Sequence, residues 1–320
     1  HMSFGALSKE AKIALAKGSA KIKTAIGSGE GGMLTEEKEA SHQYIFEYST
    51  GKFGVTDDVL RQADAIEIKI GQAAKAGLGG HLPGDKVTEE IAQVRGVKPN
   101  SSVVSPANHK DINNKKELRD KVAWLRSKSN GIPIGIKLVA GNIELDLDEA
   151  LYAEPDFITF DCRGGATGTS PTHVKDNFGI PVPFALHRAR TYFKTNNIQN
   201  ISLIVAGGIR TSADIAKCLA MGADCVALGT VAMIGIGCEQ YRQCHTGRCP
   251  TGVATQDPDL RKKLDIGQSA EMLYNLFKVY QHEIEDYVKI VGKKDVHHLN
   301  IDDLVTLNHE LAKYAGIKHS

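Results

Sequence analysis

No uninterrupted apolar run in this sequence approaches the ~20 residues that a membrane span needs, and no signal peptide is visible. Neither sign of charge is in excess. Against 39 basic residues stand 38 acidic ones, a net charge of +1, which gives no electrostatic reason to expect nucleic acid or an anionic membrane as partner. Internal repeats and low-complexity tracts are missing too. Three of the cysteines, Cys162, Cys218 and Cys225, lie in apolar strand- or helix-like stretches and read as buried small hydrophobes rather than disulfide partners. The expectation is a reducing, cytoplasmic location. His1-Met2 reads as the scar of a cleaved affinity tag, although Met2 also fits a native residue.

What is present is alternation. Short apolar runs at Lys23–Ile26, Ala65–Ile70, Ile134–Val139, Phe157–Asp161, Leu203–Ala206 and Cys225–Leu228 are mostly apolar throughout, as expected of parallel strands covered on both faces. Helical patterns separate them, among them Lys115–Ser127 and Ser212–Met221, the latter with Ser212 as N-cap and Gly222 as stop. This order predicts an α/β fold, either a βα barrel or a doubly wound sheet. Beyond residue 256 the character changes. Leu273, Leu276, Phe277, Tyr280, Ile284, Tyr287, Val288 and Val291 recur at helical spacing up to Gly292, and a second helix is predicted near Asn300, with Asp303 completing its cap. These helices are expected to pack on the barrel.

Three further cysteines carry the strongest chemical signal: Cys238-Glu-Gln-Tyr-Arg-Gln-Cys244-His-Thr-Gly-Arg-Cys249-Pro250. Thiolates spaced this closely, with proline after the last, suit an iron–sulfur cluster, and three ligands suit a three-iron cluster better than a four-iron one. Zinc with His245 as fourth ligand is the rival reading, and reduced structural thiols are the bland one. Two glycine turns, Ala206-Gly207-Gly208-Ile209-Arg210 and Ala227-Leu228-Gly229-Thr230, each follow an apolar strand. Loops so placed in a βα barrel commonly bind phosphate through bare backbone N–H groups, and flavin mononucleotide (FMN) is the natural guest beside a redox cluster. Tight turns alone would need the same glycines.

Lys137 stands inside the apolar strand Ile136-Lys-Leu138, where an unpaired ammonium is costly, so it is expected beside the flavin pyrimidine ring; Lys69 invites the same argument more weakly. Glu30, Gln72, Lys75 and Arg95 lie in or near glycine-rich segments and offer one carboxylate, one amide and two cations, which suits a dicarboxylate substrate. Ordinary surface turns remain the alternative. The Gly164-Gly165 stretch just past Asp161 is expected to line the same face.

In order along the chain, Ser3-Phe-Gly-Ala-Leu-Ser8, Gly29-Glu30-Gly-Gly32, Gly51-Lys-Phe-Gly-Val-Thr56, Ile68-Lys69, Gln72 to Val87, Ser105-Pro, Asp111-Ile, the Lys137 strand, Gly164-Gly-Ala-Thr-Gly168 and Cys249-Pro-Thr-Gly-Val-Ala-Thr-Gln256 resemble the flavin-binding synthase domain of glutamate synthase, in its shorter archaeal-type form. The resemblance covers residues 3–256, leaving 257–320 as C-terminal helices. It implies a (β/α)8 TIM barrel with FMN, a [3Fe–4S] cluster after the last strand, and reductive amination of 2-oxoglutarate with ammonia to L-glutamate. Carried over, Cys238, Cys244 and Cys249 would hold the cluster. Ser3, Gly5, Ala6, Lys137, Gly164, Gly165, Gly207, Gly208, Ile209, Gly229 and Thr230 would hold FMN. Gln72, Lys75, His81 and Arg95 would bind substrate, with Glu30 and Lys75 catalytic.

His81 and Glu67 each stand where the large bacterial enzymes carry glutamine. No glutaminase region, dinucleotide fold or ferredoxin-type cysteine run is seen, which implies free or separately supplied ammonia and a ferredoxin-like or NAD(P)H-oxidising electron donor. In the family, apolar residues of the first barrel strand precede Met-Ser-Phe-Gly-Ala; here that strand is nearly absent, and a piece of a longer protein is expected. An N-methylglutamate synthase-type subunit and a non-catalytic electron-transfer subunit are the competing readings.

Overall fold

The computed structural model describes residues 1–71, 78–166 and 170–320. Seven strands form one curled sheet: β1 (Ala25–Gly27), β2 (Gln43–Tyr48), β3 (Ala65–Lys69), β4 (Ile134–Val139), β5 (Phe157–Asp161), β6 (Ser202–Ala206) and β7 (Cys225–Ala227). Every neighbouring pair is parallel, and spatial order equals chain order. That is the barrel type of winding, since a doubly wound sheet reverses its order at a switch point. Seven strands are present where the barrel expectation has eight with the first truncated. Among the described residues no ladder joins β1 to β7, so these two are edges.

The helices that cover the sheet are α1 (Lys9–Lys21), α2 (Lys115–Lys128), α3 (Ile143–Leu151), α4 (Val182–Thr195) and α5 (Ser212–Ala220), of which the sequence marks α2 and α5. The N-cap of α5 is Thr211 rather than Ser212. The Thr211 hydroxyl accepts from Asp214 N–H while Asp214 returns the bond, a capping box that only the earlier residue can close. The amphipathic C-terminal pattern becomes α6 (Ile266–Ile290), starting seven residues before Leu273 because Asp265 caps it. It packs along α1 and α5. Asn300 and Asp303 do form a capping box, but the turn is a single 3-10 turn, Ile301–Asp303. The chain then enters a two-residue strand, Val305–Thr306, that pairs with Lys318–His319. The helix that follows is α7 (His309–Ala315), which packs on α4. No helix among the described residues is long and apolar enough to cross a membrane.

Period-two alternation decides what each strand shows to either face. Tyr44, Phe46, Tyr48, Ile66, Ile68, Ile134, Ile136, Ile158, Phe160, Leu203 and Val205 point outward into the main core beneath the helices. Inward, the register sets Glu47 opposite Glu67, and Lys69 opposite Lys137, which in turn lies opposite Thr159. One layer below, Phe157 fills the barrel floor. Its ring occupies the place where a Cβ on Gly135 would stand, 2.0 Å away, so only glycine fits there. Charge therefore sits on the inner face towards the carboxyl ends of the strands, where barrels of this type carry their sites.

Candidate active site

Glu30 is delivered by a turn built on the N-terminal segment. Gly29 has φ +70°, and a Cβ there would lie 2.4 Å from Ser3 N. Behind the turn, the buried ammonium of Lys12 pairs with Glu37 at 2.6 Å and donates to the carbonyls of Met2 and Ser28 at 2.5 and 2.9 Å. Glu30 Oε2 then meets Lys69 Nζ at 3.2 Å. Arg95, buried at the end of the short helix Glu89–Arg95, donates from Nη2 to the Phe4 carbonyl at 2.8 Å and stacks over the Phe53 ring. Its Nε is buried with no hydrogen-bond partner among the described residues. Burial pulls Arg95 down to about 10, opposed by the charge of Glu30, so it stays a cation at neutral pH. Ser3, Gly5, Glu30 and Arg95 thus come together. Gln72 and Lys75 lie outside the described residues. His81 lies on the exposed face of its strand, Gly80–Leu82, opposite to Gly80, whose missing Cβ leaves room beside the Glu30 carboxylate.

In the middle of the barrel, Lys137 Nζ donates to Glu47 Oε2 and Glu67 Oε2, both at 3.0 Å, and the Thr159 hydroxyl donates to Glu67 Oε1 at 2.5 Å. Burial works against each of these charges. The neighbouring lysines, Lys137 before Lys69, nevertheless hold the Glu47 carboxyl well below its usual range, and Lys137 first holds Glu67 down to about 2. In return Glu47 and then Glu67 keep Lys137 raised and cationic. The imidazole of His1 reaches the same two carboxylates, 3.4 Å from Glu47 and 2.9 Å from Glu67. His1, expected from the sequence to be a tag remnant, brings its ring within 4.8 Å of both carboxylates. The contact does establish that a flat aromatic ring fits between Gly27 and the carboxylates that hold Lys137.

The glycine turns pack backbone on backbone. Gly207 has φ +119°, and its Cβ would fall 2.5 Å from the Cys162 carbonyl; Gly164 sits within 3.1 Å of Gly208 in the same sense. The loops after β5 and β6 are therefore in contact, with Ile209 tucked into the core beneath them. Gly165 lies against Asp161 Oδ1. Gly229 caps the short helix Thr230–Gly235, with nothing among the described residues within 4 Å of its Cβ position; Thr230 is exposed. Ala6 is exposed in the turn between Phe4 and Leu7.

Cys249 belongs to a second apolar cluster with Leu7, Ala11, Ile236 and Leu273, and Cys238 and Cys244 pack at its margin. All three are free thiols. Burial and then the neighbouring sulfurs of Cys238 and Cys249 raise Cys244. For Cys249, burial is outweighed by the Thr251 hydroxyl and by backbone N–H groups of Ala254, Thr251 and Val253, which lower it and favour the thiolate. The three sulfurs do not gather within 4.8 Å of one another, as the only such group among the described residues is His1, Glu47 and Glu67. One tetrahedral zinc would need sulfurs about 3.8 Å apart, whereas a cluster gives each thiolate its own iron. His245 is exposed, its carbonyl accepting from Lys86 Nζ at 3.1 Å. Of the other cysteines, Cys162 and Cys218 are buried as expected. Cys225 is exposed, because its strand is an edge.

The conserved region in glutamate synthase matches this chain over residues 1–294. The chain belongs to the glutamate synthase family. It is 38% identical over 319 residues to the archaeal-type glutamate synthase [NADPH] of Thermotoga maritima, covering 99% of this chain and 62% of that one. The archaeal glutamate synthase [NADPH] of Methanocaldococcus jannaschii is 38% identical over 325 residues, covering 99% and 64%. A glutamate synthase large subunit-like protein of Rhizobium meliloti is 34% identical over 334 residues, covering 99% and 76%. The chain thus spans about three fifths of the length of the Thermotoga relative. Among solved structures, the flavin-binding domain of baker's yeast flavocytochrome b2 superposes with a TM-score of 0.58 at 16% identity, covering 92% of this chain and 64% of that one, a likeness of fold.

Within this glutamate synthase fold, Glu47, Thr159 and His109, which motif reading passed over, join the site together with Ser105, quoted above only for the resemblance. Glu47 and Thr159 partner the Lys137 group. His109 stacks on Tyr48 with 5.8 Å between ring centroids, and its Nε2 donates to the Lys69 carbonyl at 2.9 Å, fixing the end of β3. Ser105 Oγ accepts from Gly80 N–H at 2.7 Å and seats the strand next to Glu30. For Glu47 a signal existed, a lone charge in a strand of alternating aromatics.

Proposed function

We propose that this chain is the FMN-binding synthase barrel of a glutamate synthase, forming L-glutamate from 2-oxoglutarate and ammonia, with electrons entering through a [3Fe–4S] cluster on Cys238, Cys244 and Cys249. The observation that carries this reading is Lys137: a buried ammonium kept cationic by two carboxylates at the carboxyl end of a barrel strand. Positive charge at that place is what the pyrimidine edge of a reduced flavin requires. Bound FMN would supply the hydride that converts the imine to the amine.

The chain's own residues do the rest. Gly207, Gly208, Gly229 and Thr230 would take the FMN phosphate on backbone N–H groups, with Ser3, Gly5, Ala6, Gly164, Gly165 and Ile209 around the cofactor. Arg95, with one buried Nε–H to spare, would take one carboxylate of the keto acid. Gln72 and Lys75 would close over the other end, and His81 would stand at the rim. Glu30 would hold the ammonia and move a proton at its carboxylate, polarised by Lys69. That the three sulfurs do not gather within 4.8 Å of one another supports a cluster rather than a single zinc ion. The NADPH in the names of the Thermotoga and Methanocaldococcus relatives makes an NADPH-oxidising partner the first donor to try, with a ferredoxin second.

The reading is tested with dithionite-reduced protein, 2-oxoglutarate and ¹⁵N-ammonium. Labelled L-glutamate is expected, and its absence from protein that holds FMN would overturn the assignment. In the same assay Arg95→Ala is expected to raise KM for 2-oxoglutarate about 10–100-fold, the worth of one lost charge-assisted contact. An unaltered KM would remove Arg95 from the substrate pocket.

A further inference from the structure

The inner charges form one alternating chain. Glu30 Oε2 is 3.2 Å from Lys69 Nζ, which is 3.2 Å from Glu47 Oε1; Glu47 Oε2 is 3.0 Å from Lys137 Nζ, which is 3.0 Å from Glu67 Oε2. Glu47 is the carboxylate whose two oxygens serve two different lysines, since the second oxygen of Glu67 goes to Thr159. Those lysines need an intermediary. Lys69 and Lys137 are direct cross-strand partners on β3 and β4, and like charges so placed repel. Burial works against the charge of Lys69, Glu47 and then Glu30 outweigh it and raise Lys69, and Lys137 opposes them. The groups facing Glu47 are Lys69, Lys137, the adjacent Glu67 and His1. Its own N–H donates to Ser28 Oγ at 2.9 Å, two residues before Glu30, so the strand that carries Glu47 also fixes the Glu30 turn.

We propose that Glu47 is a positioning residue: it holds the Lys69 and Lys137 ammonium groups in one fixed relation and so joins the Glu30 end of the site to the Lys137 end. Its role in turnover rests on the function proposed above; the bridging itself rests on the chain's geometry. The span suits a glutamate. A glutamine has one acceptor oxygen, so it serves one lysine and turns an amide NH2 towards the other. An aspartate keeps the charge but lacks the reach.

The test is reductive methylation of the full chain without added cofactor, read lysine by lysine by mass spectrometry. In Glu47→Gln, Lys69 and Lys137 are both expected to react about tenfold faster, the effect of losing one charge-assisted partner. Lys12, which pairs with Glu37 and reaches Glu47 only through Ser28, is the internal control and should not change. In Glu67→Gln only Lys137 should accelerate. Unchanged Lys69 in Glu47→Gln, or acceleration of Lys12 along with the others, overturns the proposal. Should that variant not fold, Glu47→Asp is expected to release one of the two lysines, and full protection of both would refute the bridging. With cofactor bound, Glu47→Gln should lower kcat while leaving KM for 2-oxoglutarate within about twofold, because Glu47 is assigned no substrate contact. If the unaltered protein makes no glutamate at all, the functional reading fails while the labelling result still decides the bridging.

Discussion

Lys137→Met is expected to destabilise the protein by about 3–5 kcal/mol, because it strands Glu47 and Glu67 as buried carboxylates that share one remaining nearby lysine, Lys69, through Glu47 alone. Methionine keeps the unbranched stem and lacks only the terminal atom, so the loss is mainly electrostatic rather than a cavity. Part of it should return in Lys137→Met with Glu67→Gln, since a neutral amide is cheaper to bury than an unpaired charge. The pH dependence has a definite sign. Both carboxyls are depressed in the folded state, Glu67 to about 2, so their contribution is present above the ordinary glutamate range and is lost as pH falls from about 4.5 towards 2. Urea unfolding at neutral pH and at pH 3 measures both effects. A loss below about 1 kcal/mol at neutral pH would mean that the three charges are not mutually dependent.

Cys244→Ser is expected to abolish the iron complement of anaerobically purified protein. A serine oxygen is a poor substitute for a thiolate towards iron–sulfur chemistry, and a cluster with three protein ligands has no spare one. Burial first, and then the sulfurs of Cys238 and Cys249, raise Cys244, and all three cysteines pack in or against one apolar cluster. Cys244 packs at the margin of that cluster and is only partly buried, and none of the residues assigned to FMN or substrate is among the cysteines. Glutamate formation with chemically reduced flavin should therefore persist, while reduction by a protein donor should fail. Iron content equal to that of the unaltered protein would refute the ligand assignment.

The barrel winding was legible because its central strands are what the principle describes: Ile134–Val139 and Phe157–Asp161 are apolar runs covered on both faces, and both form as read. The strand Gln43–Tyr48 was not legible by that rule. Its outward aromatics Tyr44, Phe46 and Tyr48 alternate with Gln43, Ile45 and Glu47, a half-polar pattern produced by the charged interior. Missing the strand meant missing Glu47. The first predicted strand begins two residues late, at Ala25, because Lys23 takes a left-handed conformation, φ +59°, that ends the turn after α1. In the site, isolated charges inside apolar runs pointed to Lys69 and Lys137, and glycine pairs pointed to the loops that meet at Gly164 and Gly208. Partners contributed from other strands leave no local trace, which is why Thr159 and His109 emerged only once the chain was folded.

The central claim, that this barrel holds FMN and an iron–sulfur cluster, is tested most directly by the absorption spectrum of anaerobically purified full chain with FMN, iron and sulfide quantified. Flavin bands over a broad iron–sulfur shoulder, with one FMN and a three-iron complement per chain, are predicted. A folded but colourless protein that takes up neither group on reconstitution would contradict the account.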